Sequence, residues 1–132
     1  MKAIKIETKK KSNGHYVPGM VSRGMLYISG QLPLDPETGL IPAGGIATQT
    51  EIALRNVERV LSAAGASRNN VVMCRVYVPD VALWDEVNRV YAAFFGEHRP
   101  ARVIVPTREL HHEALVEIEA VAEMPEEDTK ND

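Results

Sequence analysis

The sequence predicts an α+β domain in which two helices pack on one face of a mixed sheet. Three observations carry that prediction. Apolar residues recur at helical spacing in two separate stretches, and in several others they alternate with period two. Along the 132 residues these stretches run in the order strands, helix, strand, helix, strands. A chain of this length, 45% hydrophobic and 25% charged, suits one domain with a real core. Residues 1–124 are assigned to that domain and residues 125–132 to a frayed acidic tail.

Residues 3–7 alternate, with Ile4 and Ile6 on one side. Gly14, Pro18 and Gly19 then punctuate a segment leading to a strand at Met25–Ser29. Asp35-Pro36-Glu37-Thr38-Gly39 has turn chemistry, and Pro42 to Gly45 extends the loop. The first helix is expected over residues 46–64. Ala53, Val57, Val60, Leu61 and Ala64 form its stripe, Gln49, Arg55, Glu58 and Arg59 lie away from it, and Gly65 supplies the stop. Val71–Val78 is rich in β-branched residues, and alternation sets Val72, Cys74, Val76 and Val78 against Met73, Arg75 and Tyr77. Asp80 stands where an N-cap belongs, ahead of Trp84, Val87, Tyr91 and Phe94, with Gly96 as the stop. Residues 101–106 and 114–122 give two further strands. The last sets Val116, Ile118, Ala120 and Ala122 against Leu115, Glu117, Glu119 and Val121.

Two helices cover only one face. The other carries Met73, Arg75, Tyr77, Leu115, Glu117, Glu119 and Val121, too apolar for bulk water and too charged for a dry core, so it is expected to meet copies of itself in a closed oligomer. Fifteen Lys and Arg against eighteen Asp and Glu leave a net charge of −3, which offers no basic field for a phosphate backbone and argues against nucleic acid as partner. Lys9-Lys10-Lys11 reads as a solvated loop. The single Cys74 builds no disulfide framework and reads as core. Apolar residues alternate with charges at the N-terminus instead of forming the run of a signal peptide or membrane span, so a cytoplasmic protein with no membrane partner is expected.

Glu117 and Glu119 sit two apart in an aliphatic strand and leave from the same face. A carboxylate among apolar groups has its charged form disfavoured, which suits proton exchange near neutral pH. The competing reading is a sheet-edge position or an ion pair with a neighbouring Arg or Lys. Arg102, after Pro100-Ala101, is placed to grip a carboxylate with two parallel hydrogen bonds, or to form an ion pair with one of those glutamates. His111-His112-Glu113 has no metal-ligand spacing, and on an extended segment the two histidines would point apart, so no metal is expected. Gly44-Gly45 lacks the Lys-Ser/Thr of a P-loop and reads as ordinary loop.

Taken together, YISGQLPLDPETG (27–39), the helix ending LSAAGAS (61–67), NNVVMCRVYVPD (69–80), VNRVYAAFFGEHRPAR (87–102) and ALVEIEAVA (114–122) resemble the YjgF/RidA family of reactive-intermediate deaminases, whose members also carry the label L-PSP endoribonuclease. The resemblance covers residues 12–123. It implies a chorismate-mutase-like α+β fold and a homotrimer around a central β-barrel, with clefts between subunits. It further implies hydrolysis of small anionic enamine or imino acids, such as 2-aminoacrylate, to a 2-keto acid and ammonia without a cofactor. By the same resemblance Arg102 binds the substrate carboxylate, Glu117 is the acid/base group beside the attacking water, and Tyr16, Ser29 and Asn88 line the cleft. Ile104 stands where the family often has a cysteine whose backbone meets the substrate. The chain departs from the family pattern at His15, Pro18, Pro106, His111 and His112, close to that cleft. A carboxylate-binding trimer without turnover and an endoribonuclease are the alternative functions.

Overall fold

The alternating segments pair into one six-stranded sheet in the computed structural model of the protein, which describes residues 1–8 and 14–126. The lysine run at 9–11 and tail residues 127–132 lie outside the described residues. The elements are β1 (Lys2–Ile4), β2 (Gly19–Ser22), β3 (Met25–Gln31), α1 (Gly45–Ala64), β4 (Val71–Val78), α2 (Trp84–Phe95), β5 (Ala101–Pro106) and β6 (Glu117–Glu123). Across the sheet the order is β1-β2-β3-β6-β4-β5. Every adjacent pair is antiparallel except β4 and β5, which run parallel because α2 crosses between them. This is the α+β architecture read from the pattern. No helix among the described residues is long and apolar enough to cross a membrane.

The core lies between the helices and one sheet face. α1 buries Ala53, Leu54, Val57, Val60 and Leu61, and α2 buries Val87, Tyr91 and Phe95. They meet Leu26, Ile28, Cys74, Val76, Ile118 and Ala120 in one cluster. Gly65 ends α1 at φ 85°, where its own N–H and that of Ala66 cap Ser62 and Leu61 carbonyls at 3.0 and 2.9 Å. Pro106 is accommodated because it closes β5, an edge strand, where a missing N–H need not break a ladder.

Several local expectations are corrected. Val72 does not belong to the core face of β4. The register shifts between Val71 and Met73 opposite β6, so Val71 and Cys74 are buried while Val72, the extra residue, is 43% exposed. Gln49 is not on the outer face of α1: it is buried, and its Oε1 accepts a hydrogen bond from Leu115 N at 2.8 Å. Asp80 caps a 3-10 turn at Val81–Leu83, accepting from Ala82 N at 2.8 Å, and α2 grows out of that turn. β1 ends at Ile4, β6 begins at Glu117, and Leu115 precedes the sheet. β2 was concealed by the glycine and proline around it.

The buried Asn56 of α1 fastens the chain that leaves β3. Its Nδ2 donates to Leu32 O at 2.9 Å and Leu34 O at 3.0 Å. Asn56→Ala deletes both bonds and strands two acceptors, so chemical denaturation is expected to show a loss of about 1–3 kcal/mol. A change within error would show that the loop is held elsewhere.

Candidate functional site

The two glutamates of β6 share a face, as period two requires, but not an environment. Glu119 is satisfied: Arg75 Nη1 donates to its Oε1 at 3.2 Å and Tyr77 Oη donates at 3.1 Å, both from neighbouring β4. The ion-pair reading therefore holds for Glu119. Glu117 takes no hydrogen bond or ion pair from the described residues. It is half-buried against Gly30 of β3, where a Cβ would come within 2.7 Å of Glu117 Oε2, so only glycine leaves the carboxylate its place. Burial pushes the Glu117 carboxyl above the usual range, the Glu119 charge adds to that, and His111 opposes it.

Ser29 lies beside Gly30. Its Oγ donates to Val17 O at 2.7 Å and its N–H to Pro18 O at 2.9 Å, which holds the segment carrying the exposed Tyr16 against β3. Tyr16, Ser29 and Glu117 thus belong to the β3 and β6 side of the molecule.

Arg102 belongs elsewhere. It pairs in register with Cys74, whose side chain is in the core, so it projects on the helix side of the sheet, whereas Glu117 projects on the open side. Its Nη1 donates to Asn88 Oδ1 at 2.8 Å, and its guanidinium carbon lies 4.7 Å from the Tyr91 ring centroid and 5.4 Å from that of Trp84. Asn88 is thereby joined to Arg102. The expectation of an Arg102 ion pair with Glu117 or Glu119 is overturned: the guanidinium has no carboxylate partner among the described residues. Among the described residues one of its five N–H donors is used, and the guanidinium lies beside a cavity of about 510 Å³ bordered by Asn88, Tyr91, His98 and Arg99. Ile104, two residues along, packs on the core from the edge strand, whose outer backbone groups have no strand beyond them among the described residues.

The predicted residues therefore fall into two separate groups. β6 and β5 are two strand spacings apart, about 10 Å, and the two key side chains leave opposite faces. One chain does not bring Arg102 and Glu117 onto the same small molecule.

Cys74 is inert core: burial pushes its thiol up to about 11. The His111–His112 segment is not extended. It is a 3-10 turn with His112 at φ 60°, and the two imidazoles stack with centroids 4.0 Å apart. Among the described residues no cluster of three or more His, Cys, Asp or Glu could hold a metal ion. Sequence reasoning missed Gly30 and the aromatic support of Arg102. A glycine within an otherwise strand-like run was the available signal for the first; nothing local signalled the second, because Trp84 and Tyr91 read simply as helix stripe.

A family model described as Endoribonuclease L-PSP matches residues 7–124. A RutC family protein of Pyrococcus horikoshii is 42% identical over 116 residues, covering 88% of this chain and 92% of the relative. The 2-iminobutanoate/2-iminopropanoate deaminase of Escherichia coli is 38% identical over 124 residues, covering 92% of this chain and 96% of that protein. The solved structure of the YjgF gene product of E. coli superposes with a TM-score of 0.86 at 37% identity, covering 93% of this chain and 98% of that one. With a matching fold and nearly full-length coverage, the chain belongs to the YjgF/RidA family, the one described by the Endoribonuclease L-PSP model.

Proposed function

We propose that the protein hydrolyses small anionic enamine and imino acids of the 2-aminoacrylate type to 2-keto acids and ammonia. In this reading it is a homotrimer whose clefts join the Arg102 half of one copy to the Glu117 half of the next. The observation that carries the reading is the complementarity of the half-sites: a guanidinium fork and a carboxyl raised by burial, neither with an ion-pair partner among the described residues. A deaminase name on a relative 38% identical supports the same chemistry. The net charge of −3 weighs against a ribonuclease.

The substrate carboxylate sits on Arg102, with Asn88 fixing the guanidinium plane. The enamine is protonated at its terminal carbon to give an iminium. Water then adds to the C=N carbon, a proton passes to nitrogen, and ammonia leaves as the carbonyl forms. One molecule of water is consumed and no electrons change hands. Glu117 is suited to the proton transfers because a carboxyl with a raised pKa is both a better base and an accessible acid near neutral pH. Arg102 contributes by orientation.

Release of 2-keto acid from freshly generated 2-aminoacrylate and from bulkier imino acids tests the reading. Glu117→Gln is expected to lower kcat/KM about 10²- to 10⁴-fold, and Arg102→Ala about 10²-fold, mainly through misplacement. Wild type no faster than the spontaneous reaction on the whole panel sinks the deaminase reading. Saturable keto-acid binding in that case would identify a carboxylate-binding trimer.

Mixing the two inactive variants under conditions that let subunits exchange is expected to restore activity. About one quarter of the clefts regain both residues in a random trimer. No recovery in verified mixed trimers would place both residues in one chain's site.

The same Glu117→Gln variant reports on stability. The carboxyl pKa is higher in the folded state than in the unfolded one, so the fold binds more protons and loses stability as pH rises from the ordinary carboxylate range through the folded pKa. Glu117→Gln removes that loss. Thermal unfolding should find the variant more stable than wild type at pH 7, with the difference vanishing below about pH 4. An equal or lower melting temperature at pH 7 would contradict it.

A further inference from the structure

The cavity beside Arg102 is larger and more cationic than a three-carbon substrate needs. Its volume of about 510 Å³ lies in the range that encloses far bigger ligands. Arg99 and His98 border it together with Arg102, Tyr91 and Phe95 supply aromatic wall, and no Asp or Glu is among the border residues. Arg102 is held by Asn88, and Arg99 forms no ion pair among the described residues.

The backbone that carries Arg99 is fixed on both sides. α2 stops at Gly96, at φ 65°, whose N–H donates to Ala92 O at 2.9 Å. Two residues on, His98 Nε2 lies 2.7 Å from Val71 O, and because a carbonyl only accepts, that nitrogen carries the proton and donates. The Phe95 ring meets the His98 ring edge-on, with centroids 6.2 Å apart. On the other side Pro100 has a locked φ and disfavours helical backbone at Arg99. Ala101 and Arg102 then enter the ladder opposite Met73 and Cys74. Three residues apart along the chain, Arg99 and Arg102 have Cα atoms within about 10 Å of each other. Two arginines so spaced on one cavity can be bridged by a dicarboxylic acid of four or five carbons.

We propose that this cavity takes the substrate side chain and that Arg99 selects imino acids whose side chain ends in a second carboxylate. Arg102 holds the carboxylate next to the C=N carbon, as in the deaminase reading on which this proposal rests, and Arg99 holds the far one. The methylene groups between them lie along Tyr91 and Phe95. Arg99 is exposed at the rim, so a substrate lacking the second carboxylate leaves its guanidinium in water and meets no repulsion. Discrimination therefore comes from one added charge-assisted pair, about five- to tenfold.

The test compares imino acids generated in place by amino-acid oxidases from glutamate, aspartate and 2-aminobutanoate, with release of the 2-keto acid as the readout. Wild type is expected to favour 2-iminoglutarate or 2-iminosuccinate over 2-iminobutanoate by that factor in kcat/KM. Arg99→Gln should bring the ratio close to one, Arg99→Lys should keep most of it, and Arg99→Glu should invert it. A wild type without dicarboxylate preference, or a preference that survives Arg99→Gln and Arg99→Glu, overturns the proposal. Calorimetric titration with 2-oxoglutarate and 2-oxobutanoate gives a second readout that needs no turnover. The dicarboxylate should bind more tightly by a similar factor, and Arg99→Gln should close the gap. If no imino acid is hydrolysed but Arg99→Gln closes that gap, the deaminase reading falls alone; equal binding of the two keto acids to wild type overturns the role of Arg99.

Discussion

The structure depends on the alternation of β6. This strand lies between β3 and β4, paired on both sides, so its rotational setting is fixed by two ladders at once. Ile118, Ala120 and Ala122 must face the helices for the core to close, and that obligation places Glu117 and Glu119 on the other face. A slip of one residue would drive two carboxylates under α1 and expose the apolar set. The face on which the candidate acid/base group leaves the sheet is thus enforced by the burial of its neighbours.

From that setting the electrostatics divide. The same β4 neighbour that carries the apolar residues under α2 carries Arg75 and Tyr77 outward, and they reach Glu119 and leave Glu117 alone. Gly30 closes over Glu117 without offering a donor. The result is one quenched and one unquenched carboxylate two residues apart, which is how environments separate the roles of chemically identical groups. Arg102 shows the inverse arrangement. It is a cation held by aromatic rings and one amide, on the face where the helices are, with no carboxylate partner among the described residues.

Much of this was legible in the sequence where one period dominated. The α1 stripe, the Gly65 and Gly96 stops and both faces of β6 followed from spacing, since burial rewards that spacing directly. The failures cluster where backbone irregularity or a long-range hydrogen bond overrides period. Val72 is displaced by a bulge that only the partner strand reveals. Gln49 is drawn inside by a backbone N–H that is 66 residues away along the chain. The histidine turn depends on left-handed conformations of His112 and Glu113, which ordinary propensity disfavours. At the site, residue types pointed to Glu117 and Arg102, but the face on which each leaves the sheet was visible only once β4 and β5 were seen in register.

The opposite-face placement has a kinetic corollary. A sheet packed under two helices is rigid, so no local motion of a lone chain moves Arg102 around to Glu117. On the proposed reading the folded monomer holds every residue the reaction needs and still lacks a site. Catalytic capacity then scales with the assembled fraction rather than with total chain. Dilution below the concentration at which the subunits dissociate would silence the protein without unfolding it, and its specific activity would rise with its own concentration.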